Sequence, residues 1–295
     1  MVLISLLVFV VIFSFLILIH EFGHFYVARK SGIKVEEFGL GLGKKIWGKK
    51  IGETEYTLNA VPFGGFVRML GEEENSKDPR SFSSAALWKR MAVTLAGVFM
   101  NFIGTIVLLT IVFTAGATPI ITSQAELSAA EEAGLVEMSE PDEEGRRKII
   151  TMEKIRYGFP QSFLFSLHET KRLTGVILEK AIEIPRKLVQ TGSLPEGLAG
   201  PVGIADVTHQ VVPSGFIAIL KLAALLSLSL AVMNLLPIPA LDGGRLLFQL
   251  VELVLKPLKV KINESLENAV HLGGYVLLML FLVAVTWNDI VNLIS

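Results

Sequence analysis

The sequence has no cysteine among its 295 residues. Disulfides and thiolate metal sites are therefore excluded, and any metal must sit on His, Asp or Glu. Charge is also scarce. Asp, Glu, Lys and Arg make up 19% of the chain, against about 25% in an ordinary soluble domain. No charged side chain occurs before His20. The net charge of −1 gives no reason to expect a nucleic-acid partner. The first apolar run also lacks a basic start and a small-x-small cleavage site, so it reads as a retained span rather than a signal peptide. With 52% hydrophobic residues, these shortages describe an integral membrane protein.

At the end of that first run stands His20-Glu21-Phe22-Gly23-His24. On a helix the two histidines lie one turn apart on one face, a spacing that lets two imidazoles hold one Zn²⁺. Glu21 is carried beside them as a general base for the attacking water. The plainer alternative is a juxtamembrane helix whose polar residues mark the membrane edge. Against it, an ionisable group in a bilayer costs about 2.5–3.5 kcal/mol on insertion scales, and a metal gives each group a partner.

Four apolar segments are expected to span: about Val2–Ala28, Leu87–Thr114, Ser214–Leu236 and Ala269–Val291. The connection from 29 to 90 carries twelve Lys and Arg, which places it on the cytoplasmic side and both termini outside. Within it, Lys34–Phe38, Lys45–Trp47, Glu53–Asn59 and Phe63–Leu70 read as short strands separated by glycines. They form either a plain structural hairpin or a sheet edge beside the metal site, able to pair with an extended substrate. Glu72 to Pro79 reads as a solvated turn, after which Ser83 or Ser84 caps the second span. Asn101, alone in mid-span, is expected to make an interhelical hydrogen bond. Residues 115 to 213 form the second long connection. They include a short acidic helix within 126–144, a turn at Pro141-Asp142 and an amphipathic helix over Ser162–Val189, with Pro185 as a possible kink. Lys221 is expected to snorkel, a polar turn is expected over Lys259–Glu267, His168 is expected to be solvated on the polar side of its helix, and His209 and His271 lack spaced partners, which suits structural roles.

The third span runs into Asn234-Leu-Leu-Pro-Ile-Pro-Ala-Leu-Asp242-Gly-Gly. Two prolines break the backbone where only a buried or cavity-lining break is tolerated. Spans one and three run the same way, so His20, His24 and Asp242 can meet at one depth. Two imidazoles and a carboxylate make a three-ligand zinc site with a position left for water.

These residues resemble the site-2 protease family of intramembrane zinc metalloproteases, and most closely the regulator-of-sigma-E protease group. His20 to His24 resembles its first motif and Asn234 to Gly243 its Asn-x-x-Pro-x-Pro-x-x-Asp-Gly motif. Gly52–Tyr56 with Phe63–Val67 resembles its membrane-reentrant β-loop, and Pro79–Phe82 and Gly200–Ile204 also match. The resemblance implies zinc on His20, His24 and Asp242, Glu21 as general base, and Asn234 holding the substrate backbone or oxyanion. There are two departures. Ser128–Leu135 resembles the start of a PDZ domain, but too little chain follows to complete one. Val98 also stands where the family often has proline.

The expected fold is an all-α polytopic membrane protein with four transmembrane helices and a small membrane-associated β-sheet between the first two. Its parts are residues 1–114, a shortened PDZ-like segment 115–160, an amphipathic helix region 161–213, and 214–295. The expected activity is hydrolysis of a peptide bond within or beside the transmembrane segment of a single-pass protein, in a bacterial cytoplasmic membrane. A metal transporter or inactive scaffold is the competing class. A transporter would string ionisable residues along its spans, whereas here they cluster at one end of two.

Overall fold

The first apolar run becomes helix α1 (Val2–Lys30). It is apolar all round, as a helix in lipid or a core must be. Its inward side is nonetheless distinct: Phe9, Ile12, Leu16, His20, Gly23 and His24 are buried, while Leu3, Leu7, Val11, Phe15 and Phe22 are exposed. The computed structural model describes residues 1–72, 76–141, 147–191, 198–258 and 264–294.

After α1 come two long strands, β1 (Val35–Ile51) and β2 (Thr54–Met69). Both fold over on themselves. Glu37, Phe38, Gly39 and Leu40 each have partners on two sides, Arg68 to Gly65 on one and Glu55 to Leu58 on the other. Residues 45–51 then pair with 54–59. The four expected strand segments are thus all present, joined into one sheet with 61–69 on one edge and 45–51 on the other. Gly41 and Gly43 at the bend have φ of 80° and 84°, which only glycine adopts freely.

Helix α2 (Leu87–Ala115) follows. Its N-cap is Ala86 without a side-chain cap, so neither Ser83 nor Ser84 caps it. Their hydroxyls instead reach back to Ser76 O, at 3.4 Å and 3.0 Å, and tie the preceding turn together. Beyond α2 lie helix α3 (Gln124–Glu132) and the strand pair β3 (Val136–Met138) and β4 (Ile149–Met152). The turn expected at Pro141-Asp142 falls partly outside the described residues. The Thr122 backbone N–H, and after it Arg172, hold the Glu126 carboxyl below the ordinary carboxylate range.

Helix α4 (Phe159–Thr191) contains Pro185. Over its first turns its amphipathicity is inverted, whereas further along Leu173 is buried and Lys171, Glu179 and Lys180 are exposed. Ser162, Ser166, Glu169 and Thr170 are buried while Phe163, Leu164 and Leu167 are exposed. Thr110 and Ser166 hydroxyls meet at 2.9 Å where α4 packs on α2. His168 is exposed, as expected.

The last elements are α5 (Pro201–Val211), α6 (Phe216–Leu235), α7 (Asp242–Leu255) and α8 (Glu264–Ile294). α1, α2, α6 and α8 are long and apolar enough to cross a membrane. The sequence reading did not anticipate α5 or α7. α8 begins before the expected Ala269, so Glu264–Glu267 is helical rather than turn; residues 259–263 lie outside the described residues. Lys221 does not snorkel into solvent. Its ammonium donates to Thr118 O at 2.9 Å and Pro119 O at 3.0 Å, satisfying carbonyls of the α2–α3 connection. His209 meets the Ser5 hydroxyl at 3.0 Å, docking α5 on α1. The Gly200–Ile204 motif has a structural reason. Gly203 N–H donates to Asp289 of α8 at 2.8 Å, and a Cβ at Gly200 or Gly203 would lie within 3.0 Å of that carboxylate.

The core runs where α1, α2 and α6 meet, with Leu16, Leu109, Val112 and Ala224 at its centre. A second cluster of Phe25, Ala28, Ile33, Val35, Met69 and Val93 binds the sheet to the ends of α1 and α2. The polar groups lie between these two clusters.

Candidate metal centre

His20 and His24 leave α1 on its buried face, one turn apart, and their Nε2 atoms are 3.1 Å from each other. Asp242 is the first residue of α7. Its Oδ2 lies 3.0 Å from His20 Nε2 and 3.3 Å from His24 Nε2. Two ligands held about 2.0–2.1 Å from a tetrahedral ion are roughly 3.3 Å apart, so this triangle is zinc-sized. Of the described residues, these three form the one group of His, Asp and Glu so placed.

Hydrogen bonding supports the fit more strongly than distance does. His24 Nδ1 lies 2.8 Å from Val93 O. A carbonyl only accepts, so Nδ1 carries the ring proton and Nε2 of the neutral ring is a bare lone pair. That lone pair faces a carboxylate. Asp242 Oδ2 is buried and, among the described residues, has no hydrogen-bond partner. Acceptors aimed at one another need a proton or a metal ion between them, and the zinc-sized spacing of the three groups suits the metal ion.

His20 repeats the pattern. The Asn101 amide lies 3.2 Å from His20 Nδ1, and Asn101 Oδ1 is buried and, among the described residues, without a partner. Turning that amide over places Oδ1 on Nδ1–H, satisfies the oxygen and leaves His20 Nε2 bare for metal. Asn101 does make the expected interhelical bond, and its partner is the His20 imidazole. Its own backbone carbonyl accepts from Ser227 Oγ of α6 at 2.9 Å, locking three helices around the ring. Asn101→Leu is expected to weaken zinc binding by about 10–100-fold. Asn101→Asp, which can only accept, should keep most of the affinity. Chelator competition measures both, and equal losses in the two would refute this orientation of the amide.

Glycine makes room for the metal site. A Cβ at Gly97 would lie 2.7 Å from both Cε1 and Nε2 of His20 and would also strike His24. On the facing helix a Cβ at Gly23 would collide with the Ala96 carbonyl. α1 and α2 therefore approach backbone to backbone at this level. Gly243 and Gly244 do the same for the loop: a Cβ on either would strike carbonyls of residues 235, 236 and 238.

A cavity of about 340 Å³ opens beside His20, His24 and Asp242. Glu21 and Asn234 both line it, as does the β2 edge through Phe66, Val67 and Met69. Every site residue expected from the sequence thus reaches one cavity. Three features of the site were not anticipated: Asn101 as partner of His20, the Val93 carbonyl behind His24, and an ion pair between Arg245 and Glu72 at the cavity wall. Glu72 was expected in a solvated turn, yet its side chain is only 13% exposed because it meets Arg245. A lone mid-span asparagine and a cation three residues after a carboxylate were the available signals.

Comparison with known proteins agrees with this geometry. Peptidase family M50 matches over residues 8–281. A Clostridium perfringens protein whose name classes it with zinc metalloproteases is 34% identical, over 95% of this chain and 96% of its own. The zinc metalloprotease RasP of Bacillus licheniformis is 29% identical, over 98% and 99% of the two chains. The regulator of sigma-W protease RasP of Bacillus subtilis is 27% identical, again over 98% and 99%. The alignment with either RasP runs over 420 positions, far more than the length of this chain, so both relatives carry a long stretch without counterpart here.

Proposed function

The chain belongs to peptidase family M50, the site-2 proteases, and as a zinc metalloprotease of that family we propose that it cuts a peptide bond within or beside the transmembrane segment of a single-pass membrane protein. The observation that carries this reading is the place of the site along the apolar helix α1. His20 and His24 lie ten and six residues before the end of α1, or about 15 and 9 Å along its axis. The long apolar α1 continues past them in both directions. Water-requiring chemistry placed there acts on a chain that is itself in the bilayer.

His20, His24 and Asp242 would hold the metal. Zinc, when bound, polarises a carbonyl and makes a water acidic enough to lose its proton near neutral pH. Glu21, in the same cavity, takes that proton and later delivers it to the leaving amine. Asn234, at the end of α6, offers an amide to the substrate backbone or to the developing oxyanion. A transmembrane helix hides its carbonyls, so the substrate must unwind before attack. The sheet edge 61–69 is suited to receive it. One side of that segment is paired with 35–42, and its residues Phe66, Val67 and Met69 line the cavity. Main-chain pairing to this edge would hold an unwound segment in register without demanding a sequence. Ser14 Oγ donates to Pro62 O at 2.7 Å, anchoring the edge against α1 well above the histidines.

The basic connection 29–90 supports a cytoplasmic location for the sheet and the mouth of the cavity, with both termini outside a bacterial cytoplasmic membrane. The four-part organisation proposed from the sequence fits the element order. Between Gly116 and Tyr157 the described residues form one short helix and one strand pair. That content, with the excess length of the RasP proteins, supports a reduced PDZ segment in residues 115–160. His20, Glu21, His24 and Asp242 gather at one level instead of marking a path, which favours hydrolysis over transport.

The test is reconstitution of the zinc-loaded protein with single-span substrates and mapping of product ends by mass spectrometry. New termini inside or within a few residues of the apolar segment are expected, and they should vanish on chelation. Cleavage confined to soluble loops would overturn the reading.

A further inference from the structure

The loop that presents Asp242 contains the one described non-glycine residue with positive φ, Ala240 at 77°. Ile238 to Leu241 forms a tight turn in which Leu241 N–H donates to Ile238 O at 3.1 Å. Pro239 occupies the second position and Ala240 the third. This is the layout of a type II turn, whose third position normally demands glycine. In such a turn the N–H of the third residue points outward and is free. Here it is taken: Ala240 N–H donates to His271 Nδ1 of α8 at 3.0 Å.

Two further contacts bring α8 to this spot. The His271 ring packs against Phe248 of α7, with ring centres 5.4 Å apart. Gly274, one turn along α8, lies so close to the loop that a Cβ there would collide with Pro239, its carbonyl oxygen included. His271 Nε2 is buried and, among the described residues, has no partner. Since Nδ1 accepts, Nε2 carries the ring proton, so the polarity of this histidine serves the bond to Ala240 and no other contact.

We propose that His271 is a positioning residue for the metal centre: through the Ala240 amide it locks the turn that aims Asp242 at His20 and His24. The chain of contacts is short. Ala240 is two residues from the carboxylate and itself lines the cavity. A turn with a side chain in a glycine conformation has a ready alternative, and the bond from α8 removes it. The fourth apolar helix, which supplies no ligand, thereby sets the geometry of the third. This inference rests on the metal assignment made above.

The test uses the full chain in detergent micelles and compares three replacements. Asn carries its oxygen on Cγ, close to where His271 presents Nδ1. Gln is as polar but places its acceptor one bond further out. Leu has none. Zinc affinity is read by chelator competition, and the ligand field by the absorption spectrum of the cobalt(II)-loaded protein. His271→Leu and His271→Gln are expected to bind zinc about tenfold more weakly and to shift the cobalt spectrum, with His271→Asn close to wild type. The proposal is overturned if His271→Leu binds as the parent does, if Gln restores binding as well as Asn, or if Asn fails as fully as Leu. Should His271→Leu not fold, the contrast of Asn with Gln decides. His20→Ala run alongside separates the two layers: retention of zinc there refutes the metal site itself, whereas its loss with unchanged His271 variants refutes only the lock.

Discussion

Glu21→Gln is expected to leave zinc content at one per chain and to lower the rate of peptide cleavage by about 10²–10⁴-fold. The two halves of this result have separate causes. Zinc stays because Glu21 is not one of the three donors that converge: those are His20, His24 and Asp242. Glutamine has the same shape, so the helix and its neighbours in the cavity are undisturbed. The rate falls because an amide cannot take a proton from the attacking water or return one to the departing nitrogen. What survives is the polarisation that the metal alone supplies. Single-turnover assays on a reconstituted single-span substrate read the rate, and elemental analysis reads the metal. Turnover within tenfold of the parent would remove Glu21 from the chemistry, and loss of zinc would make it a ligand.

The sequence made the four spans legible because each is a run long enough to cross hydrocarbon, and the metal site legible because its residue types are out of place there. Direction of travel did the rest. Two spans running the same way put His24 and Asp242 at one level, and the structure joins them within 3.3 Å. The sheet was legible only as pieces. Glycines divide its strands, and nothing local says that 37–40 will pair on both sides at once. That is a long-range choice made by closure against α1.

α7 was missed for a related reason. Leu246, Leu247, Leu250, Val251 and Val254 recur at helical spacing, but the prolines and Gly243-Gly244 before them read as a broken region. The helix forms because its polar side has partners on α2: Arg90 grips Glu252 at 2.6 and 2.7 Å, and Gln249 donates to Thr94 at 3.0 Å. α5 was missed because eleven residues with a proline and a glycine in their first turn, and another glycine just before them, carry little signal. Its start is set by a carboxylate from α8, 86 positions away in the chain. In both cases a tertiary contact settles what local propensity leaves open.

Those same contacts make Asp242→Ala a clean experiment, with zinc affinity expected to fall by about 10²–10³-fold. The substitution acts at the first residue of a helix already fastened at its middle and far end, so α7 should keep its place when the carboxylate is gone. The loop before it is fastened too, because Gly243 and Gly244 seat it against the carbonyls of residues 235, 236 and 238. What is lost is one anionic donor of three. Two neutral imidazoles remain, still pinned by Asn101 and the Val93 carbonyl, and they offer the ion no negative charge. Asp242→Glu should not restore binding. With Oδ2 already 3.0 Å and 3.3 Å from its neighbours, an added methylene forces the carboxylate past them. Chelator competition gives the affinity, and circular dichroism with thermal melting in micelles shows whether the helices persist. Zinc bound as tightly without Asp242 as with it would mean that the third ligand lies elsewhere, and the convergence of spans one and three would lose its chemical meaning.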